Sequence, residues 1–229
     1  MDQKTTKRPL DIAEETLLEK ILTGEFPIGS KLPGERKLVA EIGVTRPTLR
    51  EALRRLEQDG WLTVQHGKAT VVNNIWRDGG LNVITTLTRY PQYIPADFVD
   101  NLLQVRIDLA PSYMSLAVQN NQTMVLDYFR KAADVPRTAE ALAKYDWGMH
   151  RMMTIASGNP IYTLVLNGFS GFYEQMAIKY FSLPVMLDDS RPFYAEMIRL
   201  TEAQDVEGIR EYVAQAMTES AELWRQVEG

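Results

Sequence analysis

The chain is 229 residues long, 45% hydrophobic, and carries a formal net charge of −5, which supports a packed core and excludes a wholly disordered chain. It has no cysteine, so disulfides, thiolate metal sites and cysteine nucleophiles are excluded. The opening MDQKTTKRPLDIAEE lacks an apolar signal core, and no later run approaches about 18 uninterrupted apolar residues, so the expectation is a soluble, cytoplasmic protein without a membrane segment.

Charge is unevenly distributed. Residues 1–75 hold 12 Lys and Arg against 11 Asp and Glu, residues 76–229 hold 13 against 19, and residues 31–68 hold 8 against 5. A local basic excess on an acidic chain suits phosphate contact, which depends on the local field. It equally suits ordinary surface variation.

LDIAEETLLEKILTG (10–24) places Ile12, Leu17, Leu18, Ile21 and Leu22 at helical spacing, with Gly24 as a stop. FPIGSKLP reads as an ordered loop. PGERKLVAEIG (33–43) reads as a short helix ended by Gly43. Thr45 then sits at an N-cap position and Pro47 in the first turn, where a missing N–H is harmless. The next helix runs over 46–58 and closes at Asp59-Gly60. Its inward side is Leu49, Ala52, Leu53 and Leu56. Trp61 to Gln65 alternates as a strand, His66-Gly67-Lys68 turns the chain, and Ala69 to Val72 returns. Helix, helix-turn-helix and β-hairpin in that order predict a winged helix, with 46–58 as the recognition helix.

Arg46 and Arg50 project from the N-terminal half of that helix, the part that reaches base edges in a major groove. Arginine there binds guanine O6 and N7 bidentately. Thr45 and Thr48 are placed to reach a phosphate or a base, and the helix N-terminus itself favours an anion. Gly67 and Lys68, with His66, form a wing tip able to enter a minor groove. Arg54 and Arg55 lie further along, as phosphate contacts or plain surface charges.

PGERKLVAEIGVTRPTLREALRRLEQDGWL and the wing WLTVQHGKATVVNN resemble the winged-helix head of the GntR family of bacterial transcription factors. LLQVR (102–106), ASGNPIY (156–162) and ESAELW (219–224) extend the resemblance, over nearly the whole chain, to the fatty-acid-responsive members of that family. The resemblance implies that the head reads DNA through Arg36, through Thr45, Arg46, Thr48 and Arg50, and through His66, Gly67 and Lys68. A salt bridge to Glu35 or Glu41 is the competing role for Arg36. Pro47 stands where those members carry a small hydroxyl residue, so one polar contact is expected to be missing.

NNIWRDGGLN (73–82) reads as a linker. Beyond it the chain is expected to be helical over 81–89, 95–119, 122–134, 137–157, 160–182, 189–203 and 205–227, with breaks at Pro91, Pro95, Pro136, Gly158-Asn159-Pro160 and Pro184. Long amphipathic helices on short connections predict an antiparallel bundle. The fold class is therefore mainly α: a winged helix-turn-helix domain (1–72), a linker (73–80) and a helical effector-binding and dimerisation domain (81–229).

No catalytic constellation is visible. GFSGF (168–172) lacks the final glycine of a nucleophile elbow and sits in a helical pattern. Asp146 and His150 are four apart, a metal-ligand spacing that also resembles a pair in metal-containing GntR regulators. No histidine follows His150, two ligands are insufficient, and an i,i+4 hydrogen bond or ion pair is the expected role; no metal site is assigned. The segment 160–182 carries an aromatic face, Phe169, Phe172, Tyr173, Met176 and Tyr180, fit for core or for pocket. Ser220 lies on the apolar stripe of the last helix, either bonding its own i−4 carbonyl or lining a cavity.

The resemblance implies a pocket for the acyl chain of a long-chain acyl-CoA, with Ser220, Trp224, Tyr173 and Tyr180 at matching positions, Phe169 on the same aromatic face, and Arg106 near the polar part. Ala214, Gln215, Ala216 and Met217 replace an arginine pair, a tyrosine and a glycine of the fatty-acid-responsive members. The grip on CoA phosphates is thereby weaker, and Met217 is expected to narrow the channel. The expectation is a homodimeric regulator that binds a palindromic double-stranded DNA operator and releases it with long-chain acyl-CoA, coupled through the linker near Trp76. The alternatives are a regulator responding to a small organic acid or metal, and an acyl-CoA-processing enzyme carrying a DNA head.

Overall fold

The computed structural model describes residues 7–65 and 67–228, the side chains of residues 91, 185, 187–190, 227 and 228 excepted. They form two compact units divided between Tyr93 and Ile94.

In the first unit, helix α1 (Pro9–Leu22) starts with proline in its first turn and buries Ala13, Leu17 and Leu18. It packs on α3 (Arg46–Gln58), whose Leu49, Ala52, Leu53 and Leu56 are all buried. Between them α2 (Glu35–Ile42) ends at Gly43, whose φ of 79° is left-handed and suits glycine. Thr45 caps α3: its hydroxyl accepts from the Thr48 N–H at 3.3 Å. Trp61, fully buried, seals the end of this core.

The wing is shorter than the alternation implies. Strand β1 (Leu62–Thr63) pairs antiparallel with β2 (Val71–Val72), Leu62 opposite Val72. The outer residues of the expected strands find other partners. Val64 N–H donates to the Glu57 carboxylate at 2.9 Å, and the free edge of β2 is taken by the 29–32 loop. Gly29 N–H donates to Val72 O at 2.8 Å, Val72 N–H to Ser30 O at 3.0 Å, and Leu32 N–H to Thr70 O at 2.8 Å. The loop read from FPIGSKLP thus lies along β2 through an isolated antiparallel bridge between Lys31 and Val71.

Residues 73–93, expected as linker and first bundle helix, fall within the first unit. Asn74 caps a short helix α4 (Ile75–Asp78), and α5 (Asn82–Leu87) buries Val83, Thr86 and Leu87. The segment is tied to the head where Asn82 donates to Asp59 at 2.6 Å. A side chain at Gly79 would collide with Val83 and with its own preceding turn, so the glycines that look like a flexible joint serve close packing.

Every described element of the second unit is helical. Helix α6 (Phe98–Phe129) is interrupted at Asn121 (φ −151°, ψ 56°), close to the expected break between 119 and 122, and passes into a 3-10 turn at Arg130–Asp134. Gln122, just past the kink, donates to the Thr201 carbonyl at 2.8 Å and accepts from Gln204 at 2.9 Å. Helix α7 (Ala139–Ala156) is capped by Thr138.

The expected single helix 160–182 is two: α8 (Pro160–Gly168), capped by Asn159, and α9 (Ser170–Phe181). The joint lies at Phe169 (φ −95°, ψ −4°), flanked by Gly168 and Gly171, which lack the side-chain packing that would hold one continuous rod. Helix α10 (Pro184–Glu202) begins earlier than expected because Pro184 occupies its first turn, where proline starts a helix rather than breaking one. Helix α11 (Val206–Glu228) closes the bundle. The core joins α6, α7, α10 and α11 through Met114, Phe129, Met149, Met153, Met197 and Val213, each fully buried. Each such side chain contributes roughly 1.5–3 kcal/mol. No described helix is long and apolar enough to cross a membrane.

Candidate functional site

On the head, α3 presents Thr45, Arg46 and Arg50 to solvent, with Thr48 half-buried beside them. The Thr45 and Thr48 hydroxyls bond one another at 2.8 Å, so both are held at the helix start. Arg50 Nε donates to both carboxylate oxygens of Glu35, at 3.0 and 3.1 Å, joining the exposed faces of α2 and α3. Arg36 is exposed on α2. Its competing partners are engaged elsewhere: Glu35 with Arg50, and Glu41 with Lys20 at 2.6 Å. Arg55 pairs with Glu14 and Glu51, and Arg54 with Glu51, so these two arginines knit α3 to itself and to α1. Gly67 (φ 73°) and Lys68 are exposed at the wing tip, while His66 lies outside the described residues.

Because the Glu35 carboxylate stands beside Arg50, it opposes any phosphate that arginine approaches. Glu35→Gln is expected to tighten DNA binding about two- to fivefold, as befits loss of one exposed charge. Fluorescence anisotropy at fixed salt reads this; an unchanged or weaker affinity would show that Glu35 instead positions Arg50.

In the second unit a cavity of about 120 Å³ lies among α6, α7, α8, α9 and α11. Its walls are mostly apolar and include Leu102, Leu109, Val165, Phe169, Phe172 and Met176, joined by Tyr173, Tyr180 and Trp224. Tyr180 stacks on Trp224 at 6.4 Å between ring centres, and Trp147 lies against Tyr173 at 5.0 Å. The polar lining comprises Arg106, Tyr113, Asp146 and His150 besides the tyrosines. Arg106 Nη1 donates to Ser220 Oγ at 3.3 Å, so Ser220 acts behind the arginine rather than on the cavity wall. Met217 packs in the main core and is not among the lining residues, so it does not narrow this cavity. Gln215 faces solvent and bonds Glu219 at 2.7 Å.

Burial governs the electrostatics of this site. It works against the Arg106 charge, but the Asp146 carboxylate opposes it and the pKa is raised on balance, so the guanidinium is ionised. Burial lowers the His150 pKa to about 4; nearby Asp146 opposes this and Arg106 reinforces it, so the ring is neutral. The Tyr173 hydroxyl donates to the Asp146 carboxylate, and burial with that neighbouring charge raises its pKa well above the ordinary phenol value. The Asp146–His150 pair, expected as a hydrogen bond or ion pair, is 3.7 Å apart: too long for a hydrogen bond, and an ion pair only when the ring is protonated. His150 instead bonds Tyr113 through Nδ1 at 2.6 Å. Among the described residues, no three His, Cys, Asp or Glu side chains converge as metal ligands would.

A model of the FadR C-terminal domain matches residues 73–229, and one of the gntR family of bacterial regulatory proteins matches residues 11–72. The chain belongs to the GntR family, in its FadR branch. It is similar to the fatty acid metabolism regulator proteins of Yersinia pestis and Yersinia pseudotuberculosis, at 40% identity over 221 residues, 96% of this chain and 92% of theirs. A solved structure of Lar, which controls expression of the Listeria monocytogenes agr system, shares the fold. Its TM-score is 0.60 at 17% identity, covering 95% of this chain and 97% of that one.

As a member of the GntR family the chain is a DNA-binding transcription regulator and not an enzyme. In this FadR-type bundle the structure brings together Arg106, Phe169, Tyr173, Tyr180 and Trp224 around one cavity, with Ser220 next to Arg106. Sequence reasoning missed Tyr113, Asp146 and His150 as cavity groups. The four-residue spacing of Asp146 and His150 shows a shared helical face, but nothing local says that this face meets a cavity. Tyr113 carries no signal at all.

Proposed function

We propose that the protein is a homodimeric regulator of fatty acid metabolism, acting in the cytoplasm, which binds a palindromic operator and releases it when long-chain acyl-CoA enters the second unit. The observation that carries this reading is the mostly apolar, aromatic-walled cavity with a buried arginine among its few polar groups, in a chain 40% identical to fatty acid metabolism regulators. Such walls bury an alkyl chain, and one cation orients its polar end. The apolar walls favour an alkyl chain over a small organic acid, whose several polar groups would meet hydrocarbon over most of the lining.

In this reading Arg36, Thr45, Arg46, Thr48, Arg50, Gly67 and Lys68, with His66, contact DNA. Two heads related by a two-fold axis require a two-fold site. Arg106, Phe169, Tyr173, Tyr180, Ser220 and Trp224 serve the ligand. The acyl-CoA acts only by binding the DNA-free state more tightly than the DNA-bound one. The absence of an arginine at Ala214 and Gln215 leaves the CoA phosphates with fewer cations, so affinity rests mainly on the acyl chain.

The test is a fluorescence-anisotropy titration of a palindromic operator with and without oleoyl-CoA at stated salt. Tight binding relieved by oleoyl-CoA is expected. Tight binding indifferent to it would retain the DNA head and refute the effector.

A further inference from the structure

The cations of the winged head, residues 7–72, fall into two sets. Lys7, Arg8, Lys20, Arg50, Arg54 and Arg55 each pair with a carboxylate of the head. Lys31, Arg36, Lys37, Arg46 and Lys68 are exposed and make no ion pair among the described residues. The unpaired set is not scattered: it lies wholly between residues 31 and 68, on α2, α3, the wing and the loop beside it. Arg36, Arg46 and Lys68 are the members read as DNA contacts. A carboxylate held on a cation opposes an approaching phosphate, so a cation that meets DNA works best without one. Arg50 departs from this pattern, and Glu35 opposes it accordingly.

Lys31 and Lys37 have no part in that reading. Lys37 is one turn from Glu41, whose carboxyl Lys20 and, less strongly, Lys37 hold below its ordinary range. It therefore has a use within the head. Lys31 has no such use. It stands opposite Val71 in the antiparallel bridge that sets the 29–32 loop along β2. Leu32 beside it is buried, so the alternation of side chains turns Lys31 to the solvent face. From Val71 the chain reaches Lys68 at the wing tip in three residues, about 10 Å of extended backbone. In the other direction the loop that carries Lys31 leads into α2 and Arg36. Lys31 thus lies between two cations read as DNA contacts. A DNA strand presents a phosphate about every 3.4 Å of axis, so the backbone beside the wing tip offers Lys31 a partner.

We infer that Lys31 is a phosphate contact of the head, on the DNA backbone that borders the groove entered by the wing tip. Such a contact carries no sequence information and serves to position the wing. The inference rests on the reading that α3 and the wing face DNA.

Fluorescence anisotropy on a palindromic operator and on a scrambled duplex, across a salt series, tests it. Lys31→Gln is expected to lower the slope of log affinity against log salt by about 0.9 per head. It should weaken binding to both duplexes by the same factor. Lys31→Arg should keep the parent slope. So should Arg199→Gln, which removes an exposed cation of the second unit that pairs with Glu196. An unchanged slope in Lys31→Gln overturns the inference. A fall shared by Lys31→Arg also overturns it, as the mark of a structural role, and one shared by Arg199→Gln does so as an effect of overall charge.

A second measurement needs no variant to fold. In the unsubstituted protein, DNA should slow chemical acetylation of the Lys31 and Lys68 amines and leave exposed Lys144 of the second unit unchanged, as read by mass spectrometry. Equal rates at Lys31 with and without DNA overturn the inference while Lys68 is protected. If Lys68 is also unprotected and Arg46→Ala binds as the parent does, the DNA-facing reading of the head itself falls.

Discussion

Arg46→Ala is expected to abolish specific operator binding without unfolding the head. Arg46 is exposed at the first turn of α3 and makes no ion pair among the described residues, so its removal takes no such contact from the fold. Exposed positions of that kind change stability by about 0.5 kcal/mol or less. If each Arg46 holds a guanine bidentately, its loss costs about 1–3 kcal/mol per half-site, or about 2–6 kcal/mol for a dimer on a palindrome. That corresponds to roughly thirtyfold to ten-thousandfold in affinity. Sequence discrimination should fall with affinity, leaving salt-dependent, non-specific binding. Anisotropy on an operator and on scrambled DNA, with a thermal melt as control, measures both quantities. A parallel loss on both DNAs would make Arg46 a phosphate contact, and no loss would remove it from the interface. Arg50→Ala is expected to act in the same direction, with the difference that it also frees Glu35.

The second large effect concerns stability against pH. Lowering the pH from about 6.5 to about 4 is expected to cost roughly 3 kcal/mol through His150 alone, at about 1.4 kcal/mol per pH unit. The sign follows from burial. As pH falls below about 6.5 the unfolded chain takes up a proton at this histidine, while the folded chain does so only near 4. The unfolded state binds more protons across that window, and stability falls with falling pH.

The groups facing the ring bear on the size of the effect. Asp146 draws the folded value upward, Arg106 pushes it further down, and Tyr113 and Tyr173 stay neutral throughout. In His150→Phe this loss should be missing, so its urea midpoints should decline less steeply over pH 6.5 to 4. Parallel curves for the two proteins would mean that His150 is already hydrated and protonated in the native state.

The head could be read from its sequence because each boundary there is made by residues only a few positions apart. Gly43 supplies the left-handed turn, the Thr45 hydroxyl caps the Thr48 N–H, Pro47 sits where no donor is needed, and the stripe Leu49, Ala52, Leu53 and Leu56 defines the buried side of α3. These are short-range facts of sterics and hydrogen bonding, and they hold wherever the segment sits. The wing was overextended for the complementary reason. Val64 and the edge of β2 find partners in Glu57 and in the 29–32 loop, which alternation does not reveal. The joint at Phe169 was hidden by apolar periodicity that continues on both sides of it.

By itself, then, the sequence determined the order of elements, the exposed arginines of α3 and the aromatic character of the 160–182 segment. Only the tertiary structure decided which residues line the cavity of the second unit. Arg106 meets Ser220 across 114 positions and Tyr113 meets His150 across 37, on different helices in both cases. Helical periodicity states which residues share a face. Which other face it will meet, and which polar atoms are left unpaired there, is set by how the helices pack.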